Sequence, residues 1–166
     1  MEAGRLGLLA DVRAAMRAHP KSAGVQEAAC GAIWTEIPDG NQRDVAVRVG
    51  LLGDVRAAMW AHITSEGVQE AACRAISNIA SDCSQDDAGL LGMVADVQAA
   101  MRAYEESEGV QEAACGAVWV MSNNSDRIVS EARRLGVLAD IRTAMRTHAG
   151  SKDVLFIGDV VMRALE

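Results

Sequence analysis

The heptapeptide Gly-Val-Gln-Glu-Ala-Ala-Cys is written three times in this chain, ending at Cys30, Cys73 and Cys115, at steps of 43 and 42 residues. A second block recurs four times, as Gly7-Leu8-Leu9-Ala10-Asp11-Val12, Gly50-Leu51-Leu52-Gly53-Asp54-Val55, Gly92-Met93-Val94-Ala95-Asp96-Val97 and Gly136-Val137-Leu138-Ala139-Asp140-Ile141. A chain that repeats itself at a fixed period folds as a stack of similar units, each covering its neighbour's apolar face. A period near 42 suits helical solenoid units, and it also suits four-stranded propeller blades.

The spacing of apolar residues separates the two. Leu52, Val55 and Met59 fall at i, i+3 and i+7, and Val68, Ala72, Cys73, Ile76 and Ile79 continue the same helical pattern. There is no period-2 alternation. Half the residues are hydrophobic but only 3% are aromatic. That composition favours closely packed helices over a sheet sandwich. Each unit then divides into three helices. A short first helix (near 41–49, 85–91 and 126–135) leads to the shared glycine, Gly7, Gly50, Gly92 or Gly136, which is expected to bend sharply into the second helix. The second helix runs to about His19, His62, Tyr104 and His148. The third starts near Gly24, Gly67, Gly109 and Lys152 and ends near Ile37, Ala80, Ser122 and Leu165. The whole chain reads as a single repeat domain with units of approximately 1–40, 41–83, 84–124 and 125–166, and residues 1–6 read as the tail of a first helix.

The stretches EAGRLG, AVRVGLL and SEARRLGVL, with the third-helix stretch from Gln69 to Ala80, resemble the armadillo-repeat family along the whole chain. HEAT repeats, an α-α superhelix with two helices per unit, are the nearest alternative. The resemblance implies an all-α, right-handed solenoid whose third helices line a concave surface that binds a protein or peptide. In that family the third helix carries a Trp and, four residues later, an Asn that clamps an extended partner. The Trp position here holds Gly31, Arg74, Gly116 and Val160; the Asn position holds Thr35, Asn78, Val120 and Ala164. Only Asn78 matches. The candidate partner-binding residues are therefore Gly31, Trp34, Thr35, Arg74, Asn78, Gly116 and Trp119. Gly31 and Gly116 would let a partner backbone approach. Trp34 and Trp119 are either binding hot spots or packing residues against the next unit's first helix. Trp60, where other units carry Arg17, Arg102 and Arg146, is expected to be exposed.

The residues that look chemical have simpler explanations. The net charge of −7 disfavours nucleic acid, which needs a surplus of cations, and mildly favours basic partners. No apolar stretch reaches the length of a membrane span, and no secretory signal is evident, so the expectation is a protein of the cytoplasm or nucleus that is not secreted. Cys30, Cys73 and Cys115 read as a buried ladder, whereas Cys83 lies outside the repeat pattern and reads as an exposed thiol. His19, His62 and His148 fall at the second helix's C-terminus, where they would cap that helix. Asp11, Asp54, Asp96 and Asp140 are expected in the second helix's first turn, opposite the dipole's positive end. Phosphate loops, dinucleotide fingerprints and zinc-protease motifs are absent, so neither a cofactor, a metal nor an enzymatic activity is expected.

The last unit departs from the pattern. Val154, Leu155 and Phe156 stand where others show Val-Gln-Glu, and Asp159 replaces the cysteine. This apolar run is expected to form a terminal interface, giving a homodimer through the C-terminal helix. The expected function is a protein-interaction module. The alternative is a structural or assembly subunit that self-associates through its terminal repeat.

Overall fold

A computed structural model describes residues 2–36, 46, 50–81, 87–123 and 125–166. These residues form nine helices and no strand. They are α1 (Glu2–Ala18), α2 (Ala23–Glu36), α3 (Leu51–Ala61), α4 (Glu66–Ala80), α5 (Asp87–Ala103), α6 (Glu108–Ser122), α7 (Asp126–Leu135), α8 (Val137–Thr147) and α9 (Lys152–Leu165). Cys83 and most of the expected first helix at 41–49 lie outside the described residues.

The helices stack in two rows. The third helices α2, α4, α6 and α9 lie side by side, and the second helices α1, α3, α5 and α8 follow each other behind them. The apolar stripe of each helix fills the space between the rows, so the core runs unbroken along the stack. Val68, Val110 and Val154 are fully buried, as are Cys30, Cys73 and Cys115. A serine precedes each third helix, and all but Ser65 cap it with the side chain. Ser107 and Ser151 accept hydrogen bonds from the backbone N–H of Val110 and Val154, satisfying donors that the first turn leaves open.

The shared glycine does not act as expected in every unit. Gly50 and Gly136 adopt left-handed backbone, with φ of 78° and 79°, and Gly136 breaks the first helix of its unit from the second. Gly7 and Gly92 instead sit inside the continuous helices α1 and α5. The bend follows the length of helix in front of it. Ten residues from Asp126 to Leu135 make a helix of their own, which buries Ile128 and Ala132 by turning onto the stack. In α5 only Asp87–Leu91 precede the glycine, a single turn that the second helix simply extends. Gly92 is needed for a different reason: a Cβ there would lie 2.8 Å from Nη1 of Arg56, which crosses from the preceding unit.

Candidate interaction surface

Along the row of third helices, side chains that the core does not use face outward. Trp34 on α2 is 46% exposed, and the guanidinium of Arg74 on α4 lies 4.8 Å from its ring centroid. Arg74 is held in place by an ion pair to Glu70, 2.9 Å away. Trp34 and Arg74 together border two grooves. One, about 420 Å³, lies between α2 and α4 and is floored by Gly31 and Ala28 with Glu27 and Glu70 along it. The other, about 280 Å³, runs from Trp34 across Ser77 and Gly116 to Phe156 on α9, beside Glu112 and Asp153. A Cβ on Gly31 would meet nothing within 4 Å, so its surface is open.

The glycines Gly67 and Gly109 serve the same face. Each leaves room for the carboxylate of Glu27 or Glu70 from the preceding unit against the first turn of the next third helix. Negative charge is favourable there, at the positive end of the helix dipole. The last unit has Asp153 in place of that glycine, so Glu112 meets a like charge and remains in the groove.

The remaining candidates divide. Trp119 is partly exposed, at 37%. Thr35 is exposed, and its hydroxyl donates to the carbonyl of Gly31 in its own helix. The amide of Asn78 is committed internally: Nδ2 donates to the carbonyls of Ile33 and Trp34 at 3.0 and 2.8 Å, closing the end of α2. The expected terminal patch is not continuous. Val154 is core, because it holds the same position as Val68 and Val110. Leu155 is half-buried, and Phe156 is 72% exposed but points along the groove.

The family model of the LRRK2 ARM repeat matches residues 2–163. The chain belongs to that family. Membership places it among protein-interaction scaffolds. No curated protein and no solved structure matches the chain.

The opposite row of helices shows how these ARM repeats are joined. Asp54 accepts from Nε of Arg13 at 2.8 Å and of Arg17 at 2.9 Å, both from the preceding repeat. Asp96 accepts from Arg56 at 2.5 Å and from the indole Nε1 of Trp60 at 2.8 Å. Asp140 accepts from Gln98 at 2.6 Å and from Arg102 at 2.9 Å. Two donors one helical turn apart thus grip the next repeat's aspartate at each joint. Trp60, 61% exposed, fills an arginine position because its N–H can donate to the same carboxylate, and Arg56 lies over its ring. This corrects the simple dipole reading of the aspartates. Asp54 and Asp140 do fall in a first turn, but Asp11 and Asp96 lie well inside α1 and α5.

The histidines also reach across repeats. Nε2 of His62 lies 2.8 Å from the carbonyl of Pro20, and Nε2 of His148 lies 2.9 Å from that of Glu105. A carbonyl only accepts, so Nε2 carries the proton in both. The hydroxyl of Tyr104 makes the equivalent bond to Ile63 at 2.9 Å. The second helix's own end is closed by a residue that the repeat pattern displayed but did not explain. Buried Gln26, Gln69 and Gln111 each donate Nε2 to two carbonyls there: Met16 and His19, Met59 and His62, Met101 and Tyr104. A buried glutamine in every heptapeptide was the signal, since an unsatisfied amide would be costly.

Burial pushes the thiols of Cys30, Cys73 and Cys115 up to about 12, through loss of hydration around the thiolate. A thiol so raised stays protonated and is a poor nucleophile and metal ligand at neutral pH. Among the described residues no cluster of His, Cys, Asp and Glu is suited to hold a metal, and no helix is long and apolar enough to cross a membrane.

Proposed function

We propose that the chain is a protein-interaction module, without enzymatic activity, that holds an extended peptide segment of a partner protein on a concave surface lined by α2, α4, α6 and α9. Repeat boundaries near residues 40, 83 and 124 belong to this reading. The observation that carries it is the groove with two exposed aromatics, Trp34 and Phe156, at its ends and carboxylates between them. Glu27, Glu112 and Asp153 give the surface an acidic character, with Arg74 already neutralised by Glu70. Open backbone at Gly31 admits a peptide main chain closely. The partner segment that fits has Lys or Arg to meet the carboxylates and an apolar or aromatic side chain to stack on Trp34 or Phe156. Trp119 on α6 and Thr35 on α2, both exposed, belong to the same proposed surface.

A library of extended peptides, probed by fluorescence anisotropy, tests this. Binders should be enriched in basic and aromatic residues. Trp34→Ala and Phe156→Glu should each weaken them about tenfold or more, as loss of a central aromatic anchor does. Peptide binders indifferent to both substitutions would place the interaction elsewhere.

A further inference from the structure

Between α2 and α4 the protein holds a guanidinium of its own. Position 74 belongs to a column that reads Gly31, Arg74 and Gly116 on successive third helices. The two glycines leave the floor open: a Cβ on Gly31 would meet nothing within 4 Å, and one on Gly116 would meet only Oγ of Ser77, at 3.7 Å. Arg74 fills the middle place. Together with Trp34 it borders both the groove of about 420 Å³ and the groove of about 280 Å³, so it divides what the glycines would otherwise leave as one path.

The place suits a guanidinium, yet it holds the present one weakly. The indole of Trp34 offers a π face 4.8 Å from the guanidinium carbon, and nearly half of that residue stays exposed. Glu70 supplies a carboxylate 2.9 Å from Nη2. That carboxylate does not depend on Arg74 for its position. It lies against the first turn of α6, where a Cβ on Gly109 would be 2.5 Å from Oε2. Glu27 takes the same place against Gly67, although α2 carries Gly31 and no arginine. Both partners of the ion pair are partly open to solvent, Arg74 at 28% and Glu70 at 33%. A cation–π contact and an i, i+4 ion pair at a surface are each worth little.

We infer that Arg74 occupies a cation subsite of the groove as a ligand from within the chain, and that the partner inserts an arginine side chain which displaces it from Trp34 and Glu70. One ring face holds one guanidinium at a time, so the two compete. A planar guanidinium suits the ring and the carboxylate together, which a lysine ammonium does not, so the subsite selects arginine over lysine. With Arg74 turned out, the partner's main chain runs from Gly31 to Gly116 unobstructed. The displacement rests on the peptide-binding reading; the subsite itself does not, and a single amino acid probes it.

Titration with Nα-acetyl-arginine amide, followed through the indole N–H signals by nuclear magnetic resonance, tests the subsite. The Trp34 signal, assigned with Trp34→Phe, should shift and saturate in Arg74→Ala and hardly move in the wild type, against sodium chloride of equal ionic strength. Nα-acetyl-lysine amide should shift it less. Basic peptides should bind Arg74→Ala about four- to tenfold tighter than the wild type, the combined worth of two contacts that no longer have to be broken. Arg142→Ala, which removes the same charge from the exposed face of α8, should change peptide affinity far less. Arg74→Gln, with helix content checked by circular dichroism, replaces the alanine variant if that fails to fold. A Trp34 signal that responds equally in both proteins, or in neither, overturns the inference. So does a peptide affinity that is unchanged or falls when Arg74 is removed, since Arg74 would then be no competitor of the partner. If no peptide binds either protein while the Trp34 signal of Arg74→Ala saturates, the peptide reading fails and the cation subsite stands.

Discussion

The joint at Gly136 and the joint at Gly92 occupy one column of the repeat yet solve different problems. At Gly136 the backbone turns left-handed, with φ of 79°, and α7 folds away from α8. At Gly92 the helix runs straight through, and the missing side chain makes room for Arg56 on its way to Asp96. Gly50 resembles the first case. Gly7 is helical like Gly92, but a Cβ there would meet nothing within 4 Å. A recurring glycine therefore does not have one meaning: backbone freedom, close approach and mere inheritance of the repeat all occur in the same position.

The same substitution at each site separates these meanings. Gly136→Ala should give the largest effect, a loss of roughly 1–2 kcal/mol, because an L-residue is strained in the left-handed region. Urea unfolding should show a lower midpoint at an unchanged slope. If the midpoint holds, the break between α7 and α8 is not what the glycine is for. Gly7→Ala should act in the opposite direction, raising stability by about 0.5–1 kcal/mol, since alanine favours a helix interior and nothing obstructs its methyl group. A loss of that size would mean that the first repeat bends at Gly7. The smallest change should come from Gly92→Ala. Helix propensity gains about 0.5–1 kcal/mol, and displacing Arg56 from a part-exposed ion pair costs about as much, so the net should be near zero. Its sharper signature is at the joint. Combining Gly92→Ala with Arg56→Ala should recover the full propensity gain, because the side chain in the way is gone, and additive behaviour of the two would show that they do not meet.

Much of the fold was legible because the period and the spacing were. The third helices were expected to start near Gly24, Gly67, Gly109 and Lys152, and the structure starts them at Ala23, Glu66, Glu108 and Lys152. Serine caps and polar turns are local signals, and a local signal repeated in register is hard to misread. The cysteine ladder was legible for the same reason: small residues at helical spacing among Val and Ile belong inside. The polar columns were misread in part, because local chemistry offered each residue a sufficient partner. A dipole could account for Asp96, and a helix end could account for His62. Their actual partners, Arg56 and Trp60 in one case and Pro20 in the other, stand 36 to 42 residues away. The glutamine clamp was missed although the residue stands in every heptapeptide, since the partners of Gln69 are carbonyls 7 and 10 residues away that only its burial brings to notice.

The candidate surface shows the same division. That Phe156 is unusual was readable from the repeat, because it breaks the column of Glu27, Glu70 and Glu112, and Trp34 stood out as a tryptophan shared with Trp119. That they face one groove was not, since 122 positions separate them in sequence. Phe156 was grouped with Val154 and Leu155 as a run of neighbours, but consecutive residues on a helix point about 100° apart. Val154 accordingly enters the core while Phe156 leaves it.

By itself the sequence determined the class of fold, the repeat and the helices, because these depend on periodicity and on contacts within a single turn. It also determined that α9 differs from its counterparts, because substitution within a repeat is visible by comparison with the other copies. Which repeat bends at its glycine, which donor meets which aspartate and which aromatics share a groove became visible in the folded molecule alone. Those outcomes depend on how far one repeat is rotated and offset against the next. That relation is set by the summed packing of two whole helix rows and is carried by no single residue.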